Sequence, residues 1–298
     1  MNALLANPLA LTILPPLVAG LLLGLLALAT GGNRIAMAVG WGAGVLFVYW
    51  LLEGVPPVPP VAAKQKLGLL LALGALAAVV ADGMQLRPWL WRIVFLALTA
   101  IAVLWLGWSK LDDLAGNAGA LALAVAAAAL LAAGAQFSTL LADSQSQPHA
   151  EAPFIVPAAL LTTAIAGAVV SASGLFLGMA QLLGALAAML GGALAVNYAA
   201  LLTRGQGLDL MRSGATLAVA YAVLCASVMT ALLAPSAVAV ALLVLAAGPL
   251  LAALFASSIA AVLPNIPFLR PILAGAIIAI PAIVASLIAV LTGTSPFA

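Results

Sequence analysis

Charged residues interrupt this chain at intervals close to the width of a membrane. A helix crossing the hydrocarbon core needs about 20 mostly apolar residues. Arg34, then Glu53 with Lys64 and Lys66, then Asp82 with Arg87 and Arg92, then Lys110 with Asp112 and Asp113 set off four apolar stretches, 8–29, 35–52, 67–83 and 89–109. A fifth, 114–140, ends at the polar segment ADSQSQPHAEAP, which carries Asp143, His149 and Glu151.

Two long stretches without charge follow, 152–203 and 213–269. As single helices each would be roughly 80 Å long, against a hydrocarbon core of about 30 Å. Each must turn once, the first at Ser171-Ala172-Ser173-Gly174 and the second at Pro235-Ser236. That gives spans at 153–171, 175–202, 212–233 and 237–262, and the segment NIPFLRP leads into a last span, 272–292. The pattern predicts an all-α integral membrane protein, a polytopic bundle of about ten transmembrane helices with short loops, forming one transmembrane domain over 1–298. The first apolar run has no basic residue before it and exceeds the roughly 7–15 residues of a signal-peptide core, so it is read as the first membrane helix.

Composition agrees. The chain is 67% hydrophobic and 5% charged, where a soluble domain carries roughly 25% charged residues. Nine basic and seven acidic residues cannot build a phosphate-neutralising surface, so no nucleic acid is expected among the partners. The bilayer is the expected partner. Cys225 and His149 each stand alone, which excludes an intramolecular disulfide and any multi-thiolate or multi-histidine metal or haem site within the chain. No cofactor, metal or catalytic residue is expected.

With ten spans, Arg34, Arg87, Arg92, Arg204, Arg212 and Arg270 share one face, and Lys64, Lys66 and Lys110 the other. The positive-inside bias makes the arginine face cytoplasmic and leaves both termini outside. Extreme alanine and leucine usage with short loops points to a bacterial inner membrane. All six tryptophans lie in the first 108 residues. Trp89 and Trp91 stand about 25 Å from Trp105 and Trp108 along the fourth span, the spacing of an aromatic belt at the two interfaces or of a docking face for another membrane subunit. Gly20/Gly24, Gly40/Gly44 and Gly174/Gly178, with Gly184, Ala188 and Gly192, are spaced for close helix packing.

Membrane-embedded chemistry and ion coupling usually require ionisable groups at depth, and none lies mid-span. Asp112-Asp113 sits at a helix end, and no Walker-type loop occurs. An enzyme is therefore not expected. The polar residues left inside apolar runs are neutral, notably Gln181, Asn197 and Tyr221, with Ser171, Ser173 and Gln136. They either bond helices together, at under about 2 kcal/mol each, or line a cavity for a small neutral or zwitterionic solute. The first function read from this is a transporter or facilitator of such a solute. The alternative is a non-catalytic subunit or scaffold of a larger membrane complex.

One loop stands apart. EGVPPVPPVAAKQK, residues 53–66, repeats valine at every third place. In polyproline II this period aligns Val55, Val58 and Val61 along one apolar edge of a rod about 20 Å long. The expectation is a lid that packs this edge on the helix ends, or a docking edge for a partner.

Overall fold

The computed structural model describes residues 8–60, 62–144, 152–255, 263–264 and 266–293. They form ten α-helices and no strand: α1 Pro8–Thr30, α2 Arg34–Glu53, α3 Ala63–Gly83, α4 Pro88–Gly107, α5 Leu114–Ser144, α6 Ala152–Ser173, α7 Leu177–Arg204, α8 Ser213–Leu233, α9 Pro235–Ala252 and α10 Arg270–Thr292. The chain is an all-α polytopic membrane bundle. Eight helical runs are long and apolar enough to cross a membrane. The longest, Trp89–Gln136, would reach about 70 Å if straight. It does not, because Gly107 packs beside Leu121. The chain doubles back through a 3-10 turn at Trp108–Asp113, so α4 and α5 are separate crossings. The shorter apolar helix α9 completes the bundle.

Local signals set the helix ends. Asn33 caps α2, its side-chain oxygen accepting the Ala36 N–H at 3.1 Å. Prolines stand in the first turns of α4, α9 and α10, where a missing N–H removes no bond. Gly205 ends α7 with φ of 70°, a left-handed closure that favours glycine. Three boundaries differ from expectation. Helix α5 runs on to Ser144, four residues past 140. Helix α3 starts before Lys64 and Lys66 rather than after them, because the long stem of Lys66 lets its ammonium reach the Trp105 carbonyl oxygen at 3.4 Å. Helix α9 ends at Ala252 and passes into a 3-10 turn at Ala253–Phe255; the rest of the expected span, 256–262, lies outside the described residues. Pro249 withholds an N–H from the last turn, and the Ala253 N–H is shared between the Pro249 and Leu251 carbonyls, a tightening typical of a helix end.

Helix α8 is the core. From Ala215 to Leu232 every residue is buried, and α2, α3, α4, α5, α6, α7 and α9 all pack against it. The most extensive helix pair is α1 on α7. There a Cβ on Gly20 would collide with the Met189 carbonyl, and one on Gly192 with the Leu17 carbonyl. Glycine on both partners lets the two backbones touch.

The bundle has two chemically different ends. Thr30–Ile35, Asp82, Gln85 and Arg212 meet at one, and there Tyr198 Oη donates to the Phe268 carbonyl at 3.1 Å. Lys64 pairs with Glu53 at 2.9 Å at the other. Arg34 and Arg212 thus mark the arginine end, and Lys64 the lysine end.

Candidate functional site

The polar residues singled out in the sequence lie at different depths. Asn197, fully buried near the arginine end of α7, clamps Leu208: its Nδ2 donates to the Leu208 carbonyl at 3.1 Å and its Oδ1 accepts the Leu208 N–H. Trp41 Nε1 donates to the Leu210 carbonyl at 3.0 Å. Both side chains hold the segment between α7 and α8. Tyr221, midway along α8, donates to the Leu98 carbonyl at 3.2 Å. Its ring fills a notch at Gly74, where any Cβ would collide with it, and meets Phe95 edge-on at 6.5 Å.

At the lysine end, Ser171 Oγ lies 2.8 Å from Thr230 Oγ1. The Thr230 hydroxyl donates to the Ala226 carbonyl at 3.0 Å, so Ser171 is the donor between them. Ser173 is buried at the end of the same helix. Gln136 is half-buried on α5, and Gln181 is exposed one turn into α7. The six are therefore spread along the bundle, with Asn197 at one end and Ser171 and Ser173 at the other.

The residues expected at an interface divide in the same way. Trp89 and Trp108 are exposed. Trp91 is buried and stacks on Phe95 with ring centroids 5.6 Å apart. Trp105 is half-buried, and its carbonyl holds Lys66. Val55 and Val58 are 78% and 81% exposed. The expectation of a lid packed through its valine edge is corrected at these two residues. The Glu53–Lys64 ion pair closes the base of the loop, and the four prolines beyond it cannot continue either helix. Val61, His149 and Glu151 lie outside the described residues.

The arginine end holds a cleft of about 390 Å³. Its walls come from three separate connections: Asn33 and Arg34 opening α2, Asp82 and Gln85 closing α3, and Arg212 before α8. Asp82 is only 5% exposed. Its Oδ2 accepts the Gly214 N–H at 3.1 Å, capping the positive N-terminal end of α8 from a different helix. Glycine is required at 214, since a Cβ there would lie 2.5 Å from that carboxylate oxygen and 2.6 Å from the Ala78 carbonyl. Arg212 Nε pairs with Asp209. Arg34 and Arg212 are the cations close enough to act on Asp82. Among the described residues the ion pairs are Glu53–Lys64 and Asp209–Arg212, so neither arginine closes on Asp82.

The chain matches no known protein-family model, curated protein or solved structure. In the sequence, Arg34 and Arg212 served to mark span ends and to orient the chain, and Asp82 only to mark a span end. The signal that could have found the cleft is Asp82 itself, an acidic residue on the face where the arginines gather.

Proposed function

We propose that this multi-pass membrane protein is a transporter or facilitator of a small neutral or zwitterionic solute, and that the cleft at the arginine end is the solute's mouth. One observation carries the reading: a cleft lined by both signs of charge is built into an apolar bundle, with a carboxylate almost wholly buried in its wall. Ionisable groups buried at a membrane-spanning helix are costly and mark solute or ion pathways. The volume falls within the roughly 300–1,000 Å³ of small-molecule sites, and the cleft opens beside the first turn of α8. Six basic residues expected on this face against three on the other support a cytoplasmic position for this end, with both termini outside, and the alanine- and leucine-rich composition with short loops suits a bacterial inner membrane. Purified protein in liposomes, loaded in turn with labelled glycerol, serine, acetate and ethylamine, tests it. Faster release of glycerol or serine than from protein-free vesicles is expected. Equal release of all four overturns the reading.

A second reading, a non-catalytic subunit of a larger membrane complex, is favoured by the lysine end. Val55, Val58, Trp50 and Trp108 are all exposed there, and exposed tryptophan near valine is the composition of a docking patch. Stoichiometric co-purification from native membranes, lost when Val55 and Val58 become serine, is the result it requires.

A further inference from the structure

We infer that the cleft holds a zwitterion at two points, its carboxylate or phosphate on Arg34 and Arg212 and its primary ammonium on Asp82. This rests on the transport reading and narrows its substrate class from neutral or zwitterionic to zwitterionic.

The charges alone separate the candidate ligands. The lining carries two guanidinium groups and one carboxylate. A simple anion meets Asp82, a simple cation meets two arginines, and a neutral solute finds hydrogen-bonding partners but brings no charge to match either. Only a ligand bearing both signs finds a counter-charge for each. The arrangement leaves room for one, because neither arginine closes an ion pair with Asp82 although both act on it across the cleft.

The hydrogen-bonding groups match. A carboxylate offers about four acceptor positions, and the described bond to Asp82 is the Gly214 N–H on Oδ2. A carboxylate this buried is stabilised by further donors, and a primary ammonium supplies three. At the other pole, the Asp209 pair engages Arg212 through Nε and fixes the plane of the guanidinium. Its terminal nitrogens are then presented as a fork suited to a planar carboxylate or to two phosphate oxygens. Arg34 stands at the first position of α2, and its helix start adds positive potential on the same side. The Asn197 and Trp41 bonds to the 205–212 segment hold the Arg212 wall in register.

Two sources supply this chemistry: a free amino-acid-like solute, and the headgroup of an aminophospholipid at the membrane face. The test uses the full-length protein in detergent, with thermal unfolding read by tryptophan fluorescence. Serine and O-phosphoethanolamine are the probes; inorganic phosphate, ethylamine, choline phosphate and glycerol are the comparisons. A saturable rise in the unfolding midpoint with serine or phosphoethanolamine, at least tenfold more potent than with any comparison, is expected. Choline phosphate discriminates because its quaternary ammonium has no N–H for Asp82. Arg34→Gln, at an exposed position, should weaken zwitterion binding about tenfold without lowering the ligand-free midpoint. Asp82→Asn should weaken zwitterions and strengthen inorganic phosphate, a reversal that mere loss of folding does not produce.

Vesicles of phosphatidylcholine alone, or with phosphatidylethanolamine, separate the sources. Serine release from both types identifies a free solute. Stoichiometric phosphatidylethanolamine co-purifying with wild type and lost in Arg34→Gln identifies the lipid. Phosphate or ethylamine binding as well as the zwitterions, or an Asp82→Asn protein with unchanged serine affinity, overturns the inference. Glycerol release with no zwitterion preference overturns it while leaving the transport reading standing. Zwitterion binding without release of any solute removes the transport reading and leaves the site.

Discussion

Replacing Asn197 by leucine separates a structural clamp from a cavity-lining residue. Asn197 is fully buried and makes two hydrogen bonds to one residue, Leu208, through both ends of its amide. Leucine is similar in size but can make neither bond, which strands the Leu208 N–H and carbonyl. An unsatisfied buried polar group costs about 1–3 kcal/mol; Leu208 is half-buried, so water recovers part of that, and the two lost bonds should together cost about 1–3 kcal/mol, a sizeable share of the roughly 5–15 kcal/mol that holds a typical protein folded. The Trp41 bond to Leu210 survives, so the segment loosens rather than detaches. Thermal unfolding in detergent, followed by tryptophan fluorescence, measures this directly. Asn197→Asp loses the donor and sets a carboxylate beside the Leu208 carbonyl at a fully buried position, so it should destabilise at least as much as leucine. If Asn197→Leu unfolds at the wild-type midpoint while solute flux falls, Asn197 lines the solute path and the clamp assignment is wrong.

The same geometry gives three further predictions. Gly20→Leu should prevent α1 from seating on α7 and abolish monodisperse protein on size exclusion, whereas Gly184→Ala, with nothing within 4 Å of its new Cβ, should behave as wild type. A double-mutant cycle of Ser171→Ala with Thr230→Val should show a coupling near the ~0.6 kcal/mol average for interhelical bonds in membranes, measured by denaturation in mixed micelles; zero coupling would contradict the 2.8 Å hydroxyl pair. Val55→Ser with Val58→Ser should change stability by less than about 0.5 kcal/mol, as exposed substitutions do, and a larger loss in the same assay would show that the valine edge is packed.

The helices were legible because lipid forbids unsatisfied backbone. Every connection must therefore gather at the faces, and charges, prolines and glycines mark those places in the sequence. The expected span 175–202 against α7 at Leu177–Arg204 shows how closely. Lysine stems reaching out of α3 and the loss of an N–H at Pro249 in α9 moved boundaries that hydropathy alone could not place. The packing role of Gly20 and Gly192 was visible as spacing, but the partner was not, since α1 meets α7 only through the tertiary fold. The cleft was not legible. It joins Arg34, Asp82 and Arg212 from three connections far apart in sequence, and a charge at a helix end looks the same whether it faces water or a neighbouring helix. Polarity inside apolar runs pointed instead to Asn197 and Tyr221, whose bonds go to backbone carbonyls.

These structural residues and the cleft form one mechanical unit. Asp82 lines the cleft and also caps α8 through Gly214. Arg212 lines the cleft from the segment that leads into α8 and is held in place by Asn197 and Trp41. Helix α8 is in turn packed by seven of the other helices. A charged ligand drawing on the Asp82 carboxylate therefore acts on the bond that positions the start of the central helix. The middle of that helix could not carry such a charge: it is buried on every side, and an uncompensated charge there would lose its hydration with no counter-charge to replace it. At the arginine end the carboxylate keeps a backbone donor, two cations and a cleft beside it. That is why this charged cleft lies at the bundle's face, and why a ligand bound there would be coupled to the core without entering it.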